Sequence, residues 1–233
     1  MGKTVAVVVA AGRGSRMGTA ESKQYLLLQG KPILVWTLQA LAAIHRIDEI
    51  VLVTGADDVQ RCEALVQQYG LAGQVSRIVP GGSERQHSVL EGLKVCRERD
   101  ADWVLVHDGV RPFIDAGQMD ALMAEAEKSG AAVLAVPVKD TIKVVGASGD
   151  ITSTPDRRSL WAIHTPQAFR FSLLWKANEA AVRDGFLGTD DASLVERLGV
   201  SVRVAEGSYR NIKITTPEDL EWADWFIGRG ENV

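Results

Sequence analysis

The 233-residue chain is poor in the features that would announce a chemistry at once. Cysteine occurs twice, at Cys62 and Cys96, each in a stretch that reads as an amphipathic helix. No CxxC or Cys/His spacing suggests zinc, and buried free thiols are expected. Positive charge is not in excess. The formal net charge is -4, which argues against a general nucleic-acid binder but leaves room for a local basic pocket. No stretch is long and apolar enough to span a membrane. The opening "MGKTVAVVVAAG" resembles a signal peptide in its lysine and short apolar run, but its β-branched residues lead into a glycine loop, as a buried first strand does. A cytoplasmic protein is expected. No repeat or low-complexity linker divides the chain. No Ser-His-Asp or Cys-His set stands out as a nucleophile system. His45, His87, His107 and His164 are scattered without ligand spacing, and no catalytic histidine is expected.

What is present is an alternation of apolar runs and helical patterns. Residues 4–10, 49–55, 75–82, 102–108 and 131–137 read as strands apolar on both faces. Helical patterns over 32–44, 57–69, 115–129 and 171–185 separate or follow them, with Pro32 at a tolerated first position. An S-x-x-Q capping box, Ser83 to Gln86, predicts a helix running to about Arg99. A strand at 200–205 and a final helix capped by Thr216, with Pro217 as its first residue, complete the pattern. This predicts an α/β, Rossmann-like, mostly parallel sheet with helices on both faces. Ligands bind such sheets at the carboxyl ends of the strands. The loops at 10–18, 81–83 and 107–111 should therefore converge on one crevice.

Residues 138–160 break the pattern with short alternating strands around "GASGD". Thr141, Ile142, Val144 and Val145 make this excursion sticky without evident local burial. A protruding β-arm that packs on a partner subunit is the expectation, with the whole of 1–233 as one domain.

The loop after the first strand, "AAGRGSRMG", carries Gly12, Gly14 and Gly18, which let backbone N–H groups approach a phosphate. It lacks the P-loop pattern, and its G-x-G-x-x-x-G spacing misses the dinucleotide fingerprint. Its cations set it apart. Arg13 reads as a solvated charge, whereas Arg16 and Lys23 suit a reaction at phosphorus from which pyrophosphate must leave.

At this point a resemblance becomes specific. "AAGRGSRMG" with "KQYL" looks like the opening of the sugar-nucleotide-type nucleotidyltransferases. In order, "GGSERQHSVLEGL", "VLVHDGVRP", "PVKDTIK", "TPQAF", "TDDAS" and "NIKITTPEDL" resemble the methylerythritol phosphate cytidylyltransferases. The resemblance implies transfer of a cytidylyl group from CTP to 2-C-methyl-D-erythritol 4-phosphate, with pyrophosphate released. It places Arg16 and Lys23 on the triphosphate and Lys213 on the substrate phosphate, all three as catalytic residues. It assigns base and nucleotide contacts to Ala10, Ala11, Gly12, Gly14, Gly82 and Ser88. Ser88 is equally readable as an ordinary helix residue. Asp108 would bind Mg²⁺ or another divalent cation. Arg111, Thr141, Arg157, Thr165, Thr189, Asp190 and Lys213 would hold the second substrate, with Thr141 and Arg157 reaching the neighbouring subunit of a homodimer. Gly109 and Val110 stand where alanines are common in the family, a change expected to alter packing more than chemistry. With the chain ending at Val233, no fused cyclase domain is expected. A pentitol phosphate cytidylyltransferase, acting for example on ribitol 5-phosphate, is the alternative, because it would share the CTP half of the site. No nucleic-acid or membrane partner is expected.

Overall fold

A computed structural model describes residues 2–12 and 21–229. The predicted strands form β1 (Thr4–Ala10), β4 (Glu49–Thr54), β5 (Val75–Pro80), β6 (Trp103–Asp108) and β7 (Ala131–Pro137). Two short strands, β2 (Leu27–Leu28) and β3 (Lys31–Pro32), pair by themselves. Pro32 therefore ends a strand and precedes the helix α1 (Ile33–Ala42) rather than opening it. Two strands complete the main sheet: β10 (Trp161–Arg170) and β11 (Arg203–Glu206). Among the described residues this sheet has seven strands in the order β11-β7-β10-β6-β1-β4-β5. β10 runs antiparallel to both its neighbours, while the other pairings are parallel.

The alternation of side chains along β1 shows why the sheet is covered twice. Ala6 and Val8 belong to one apolar layer, with Leu34 and Leu38 of α1 and Met119 and Leu122 of α4 (Ala116–Ser129). Val5 and Val7 belong to the other, with Val89 and Leu93 of α3 (Arg85–Glu98) and Leu174 of α5 (Phe171–Arg183). Leu194 of α6 (Asp191–Arg197) joins that second layer. The remaining long element on the first side, α2 (Val59–Gln68), buries Cys62 and Val66. Both thiols are buried, as expected.

A third, smaller apolar group fixes the C-terminal segment. Phe113 meets Trp222 and Phe226 edge-on at 5.5 and 5.0 Å, which holds α7 (Pro217–Gly228) against the loop after β6. Thr216 caps α7 and Pro217 is its first residue, as predicted. The capping box at Ser83 does not form. Glu84, in extended conformation, precedes α3, and the Ser83 hydroxyl pairs instead with His87 Nδ1 at 3.0 Å. The segment 138–160 contains an antiparallel hairpin of β8 (Val144–Val145) and β9 (Ile151–Ser153). Ile142, Val144, Val145 and Ile151 are all exposed on it.

Candidate active site

The carboxyl ends of β1, β5 and β6 converge as the pattern required. They border a crevice of about 300 Å³ lined by Ala10, Ala11, Gly12, Lys23, Gly82, Ser88, Asp108 and Lys213, among others. Gly14 and Arg16 lie outside the described residues. Lys23 sits in a short helical turn, Lys23–Tyr25. That turn is tied to the sheet where Gln24 Nε2 donates to the Ala10 carbonyl at 2.8 Å. At the other wall, Ser88 Oγ accepts from Gly82 N at 3.2 Å and donates to the Glu84 carbonyl at 3.1 Å. Ser88 is thus more than an ordinary helix residue, because its hydroxyl shapes the glycine turn.

A second pocket of about 170 Å³ adjoins the first. Arg111, Thr165, Thr189 and Asp190 line it, together with His164 and Gln167. Arg85, Asp108 and Lys213 line both pockets and form their common wall. Thr141 and Arg157 line neither pocket. Thr141 is exposed, and Arg157 Nη1 donates to the Lys139 carbonyl at 2.6 Å.

Asp108 is the electrostatic centre of the wall. Its Oδ1 lies 3.3 Å from Arg85 Nε, and its Oδ2 lies 3.0 Å from Lys213 Nζ and 3.4 Å from Arg111 Nε. Burial alone would raise its pKa. Arg85, Lys213 and Arg111 outweigh that and hold the carboxyl well below the usual range, so it is ionised. Lys213 is delivered by the third apolar group. Ile214 is fully buried and its N–H donates to the Val110 carbonyl at 3.0 Å, which turns the preceding lysine toward Asp108.

His107 orients this loop. Its Nε2 donates to the Arg111 carbonyl at 3.0 Å, so Nδ1 is the acceptor for the Thr165 hydroxyl at 3.1 Å. The Thr165 oxygen in turn accepts from Asp108 N at 3.0 Å. Burial lowers the His107 pKa to about 4 and keeps the ring neutral. Asn211 extends the scaffold, accepting from Arg111 Nη1 at 2.7 Å on its carbonyl. Its Nδ2 donates to the Thr165 carbonyl at 2.9 Å. Asp190 caps α6 through Ser193 N and also accepts from Gln167 Nε2 at 2.8 Å.

Sequence reasoning missed Arg85, Asp191, Gln24 and Asn211. Arg85 and Asp191 were legible in principle, because they fall inside "GGSERQHS" and "TDDAS". Gln24 and Asn211 also fall inside quoted blocks, "KQYL" and "NIKITTPEDL", but an amide that bonds a backbone carbonyl carries no chemistry by which its type would single it out.

Two adjoining pockets that share a cation-rich wall, at the carboxyl edge of an α/β sheet, define a group-transfer enzyme acting on phosphorylated substrates. The family is defined by comparison. The model for 2-C-methyl-D-erythritol 4-phosphate cytidylyltransferase matches residues 4–229, and the chain belongs to that family. Relatives of that name from Desulforamulus reducens and Geotalea uraniireducens are 46% and 49% identical to it. The first alignment covers 98% of this chain and 97% of the relative, the second 97% of each. A crystal structure of 4-diphosphocytidyl-2C-methyl-D-erythritol synthase from Anaerococcus prevotii superposes with a TM-score of 0.85 at 33% identity, covering 98% of this chain and 99% of that one. Among the described residues no helix is long and apolar enough to cross a membrane.

Proposed function

We propose that the chain transfers the cytidylyl group of CTP to 2-C-methyl-D-erythritol 4-phosphate, releasing pyrophosphate. The observation that carries this reading is the shared wall: Asp108, Lys213 and Arg85 border two pockets at once. A substrate phosphate in the smaller pocket would face the α-phosphorus of a nucleotide in the larger one. A phosphate oxygen forms the new bond to α-phosphorus as the bond to the β-phosphate oxygen breaks. The electron pair leaves with pyrophosphate, and no enzyme group becomes covalently linked.

Ala10, Ala11, Gly82 and Ser88 would form the slot for the base, and Lys23 with Arg16 would take the triphosphate. Arg111, Thr189 and Lys213 would hold the second substrate. Thr165 has a narrower part. Its hydroxyl hydrogen is committed to His107 and its oxygen to Asp108 N, so it holds the loop and offers the substrate at most a lone pair.

Asp108 fits a single-point anchor for Mg²⁺. It is ionised, faces both pockets, and its Oδ1 carries one long contact, from Arg85 at 3.3 Å. Among the described residues no cluster of three His, Cys, Asp or Glu could hold a metal without help, so substrate phosphates would supply the other ligands. Bound there, the ion would neutralise phosphate charge.

The exposed Ile142, Val144, Val145 and Ile151 support a homodimer through the hairpin, with Thr141 and Arg157 completing the neighbour's site.

The test is pyrophosphate release with CTP, Mg²⁺ and either methylerythritol phosphate or ribitol 5-phosphate. Turnover with the first alone is expected. Turnover with ribitol 5-phosphate alone would refute the assignment, and loss of activity in EDTA checks the metal. The pentitol alternative is not favoured, since the family model and both relatives carry the methylerythritol name.

A further inference from the structure

Arg85 is the most constrained cation in the wall that no role above accounts for. It is the first residue of α3, directly after the glycine turn, and its side chain lines both pockets. Two carboxylates fix it. Nε reaches Asp108 Oδ1 at 3.3 Å, and Nη1 donates to Asp191 Oδ2 at 2.7 Å. Asp191 is 1% exposed, and the bond from Arg85 is its side chain's ion pair among the described residues. Burial pushes the Asp191 carboxyl up, and Arg85 opposes that.

A buried carboxylate facing an arginine that is itself 30% open to the pockets is a poor device for stability, because desolvation cancels much of the attraction. It is a good device for holding a guanidinium still. The two carboxylates engage Nε and Nη1, while the Nη2 group makes no bond to the described residues. A guanidinium presents its donors in a planar fork suited to phosphate.

We infer that Arg85 is a catalytic residue that donates to a phosphate oxygen where the two substrates meet, and that Asp191 is the positioning residue that aims it. This rests on the reaction proposed above. As the new bond to α-phosphorus forms and the bond to the β-phosphate breaks, total charge is conserved while negative charge moves toward the departing pyrophosphate. On the way, negative charge also builds up on the non-bridging oxygens of the five-coordinate α-phosphorus, and a fixed cation donating to one of them stabilises that transition state without moving itself.

The test separates charge balance from catalysis. In Arg85→Gln, Asp191 loses its buried partner, so both melting temperature and turnover fall. Arg85→Gln/Asp191→Asn removes the stranded charge. The melting temperature should return to within about 3 °C of wild type, while kcat stays about 100- to 1000-fold down. A double variant that folds and loses less than about tenfold in kcat overturns the catalytic role. Should the double variant not fold, Arg85→Lys leaves Asp191 a cation and reads the same question. A fall in kcat of about tenfold or more supports the inference, and a smaller one overturns it. The wild-type enzyme, assayed beside them with CTP and methylerythritol phosphate, keeps the two claims apart. If it releases no pyrophosphate, the proposed function and the role of Arg85 fall together; if it turns over normally, the variant ratios judge Arg85 alone.

Discussion

Gly81 stands where three segments meet, and it lends itself to a quantitative test. A β-carbon there would lie 2.6 Å from Ser88 Oγ, 2.8 Å from Ala11 Cβ and 3.2 Å from Ser88 Cβ. Ala11 has no rotamer with which to withdraw. Ser88 can turn away only by giving up its bonds to Gly82 N and the Glu84 carbonyl. Gly81→Ala therefore overpacks the turn at a cost of about 1–3 kcal/mol. In a domain of this size that lowers the melting temperature by about 2–12 °C. Losing the Ser88–Gly82 bond distorts the base slot and is worth a further ~0.5–1.5 kcal/mol, a loss of CTP affinity of about 2- to 13-fold. Thermal melting and calorimetric titration with CTP read the two effects separately. Gly73→Ala is the reference, because nothing lies within 4 Å of its added carbon. It should change stability by no more than about 0.5–1 kcal/mol. Gly81→Ala melting with the wild type and binding CTP equally well would refute the packing argument.

Three further outcomes are expected. Lys23→Ala should lose about 100- to 1000-fold in kcat with an unchanged melting curve; near-wild-type turnover would remove Lys23 from the site. His107 is held neutral, its pKa lowered from 6.5 to about 4 by burial, so its contribution to stability is complete above the higher value and is lost as pH falls through the lower one. At about pH 4.5 that loss amounts to roughly 2–3 kcal/mol, and urea titrations should show it reduced in His107→Gln, whose pH dependence would otherwise match the wild type. His164 shares the shift to about 4 and titrates in the same window, but its share is common to both proteins and cancels. Mixing Lys213→Ala with Arg157→Ala, each nearly inactive, should restore about a quarter of wild-type activity if Arg157 serves the other subunit's site, because half the dimers then hold one intact site. No recovery on mixing would put Arg157 out of that role.

Strands β1 and β4 to β7 were legible because each is a short apolar run closed by glycine, aspartate or proline. The cap at Thr216 was legible because a short polar side chain stands ahead of proline and a helical pattern. β10 was not. Its first residues, Trp161 to Ile163, are exposed, and Thr165-Pro166 interrupts the run, which is how a loop reads. Gln167 is buried within it only because α6 supplies partners for its amide, with Asp190 accepting and Ala192 N donating. The Arg85–Asp191 pair spans 106 positions, and nothing local to either residue reports it. Ser83 shows the opposite failure: a valid local motif lost to a nearer partner, His87. Half the predicted site is backbone and charge at strand ends, which the pattern of strands locates; the scaffold that aims it is long-range.

The antiparallel strand in mid-sheet also dictates the order in which the protein can be assembled. By residue 137 the ribosome has delivered β1 and β4 to β7, yet β6 and β7 are not neighbours. Each pairs only with β10 on the side where they face one another, and β10 ends at Arg170. At about 5–20 residues per second, the nascent chain passes roughly 3–12 s between Asp108 and Arg170 with this edge of β6, whose residues are all buried in the finished fold, unpaired. In that interval Thr165 has not arrived to bind Asp108 N, so the loop that carries the reaction centre is not yet tied down, and β11 joins β7 later still. An open edge of buried residues invites pairing with other chains, which makes this interval the one in which the growing protein depends most on chaperones.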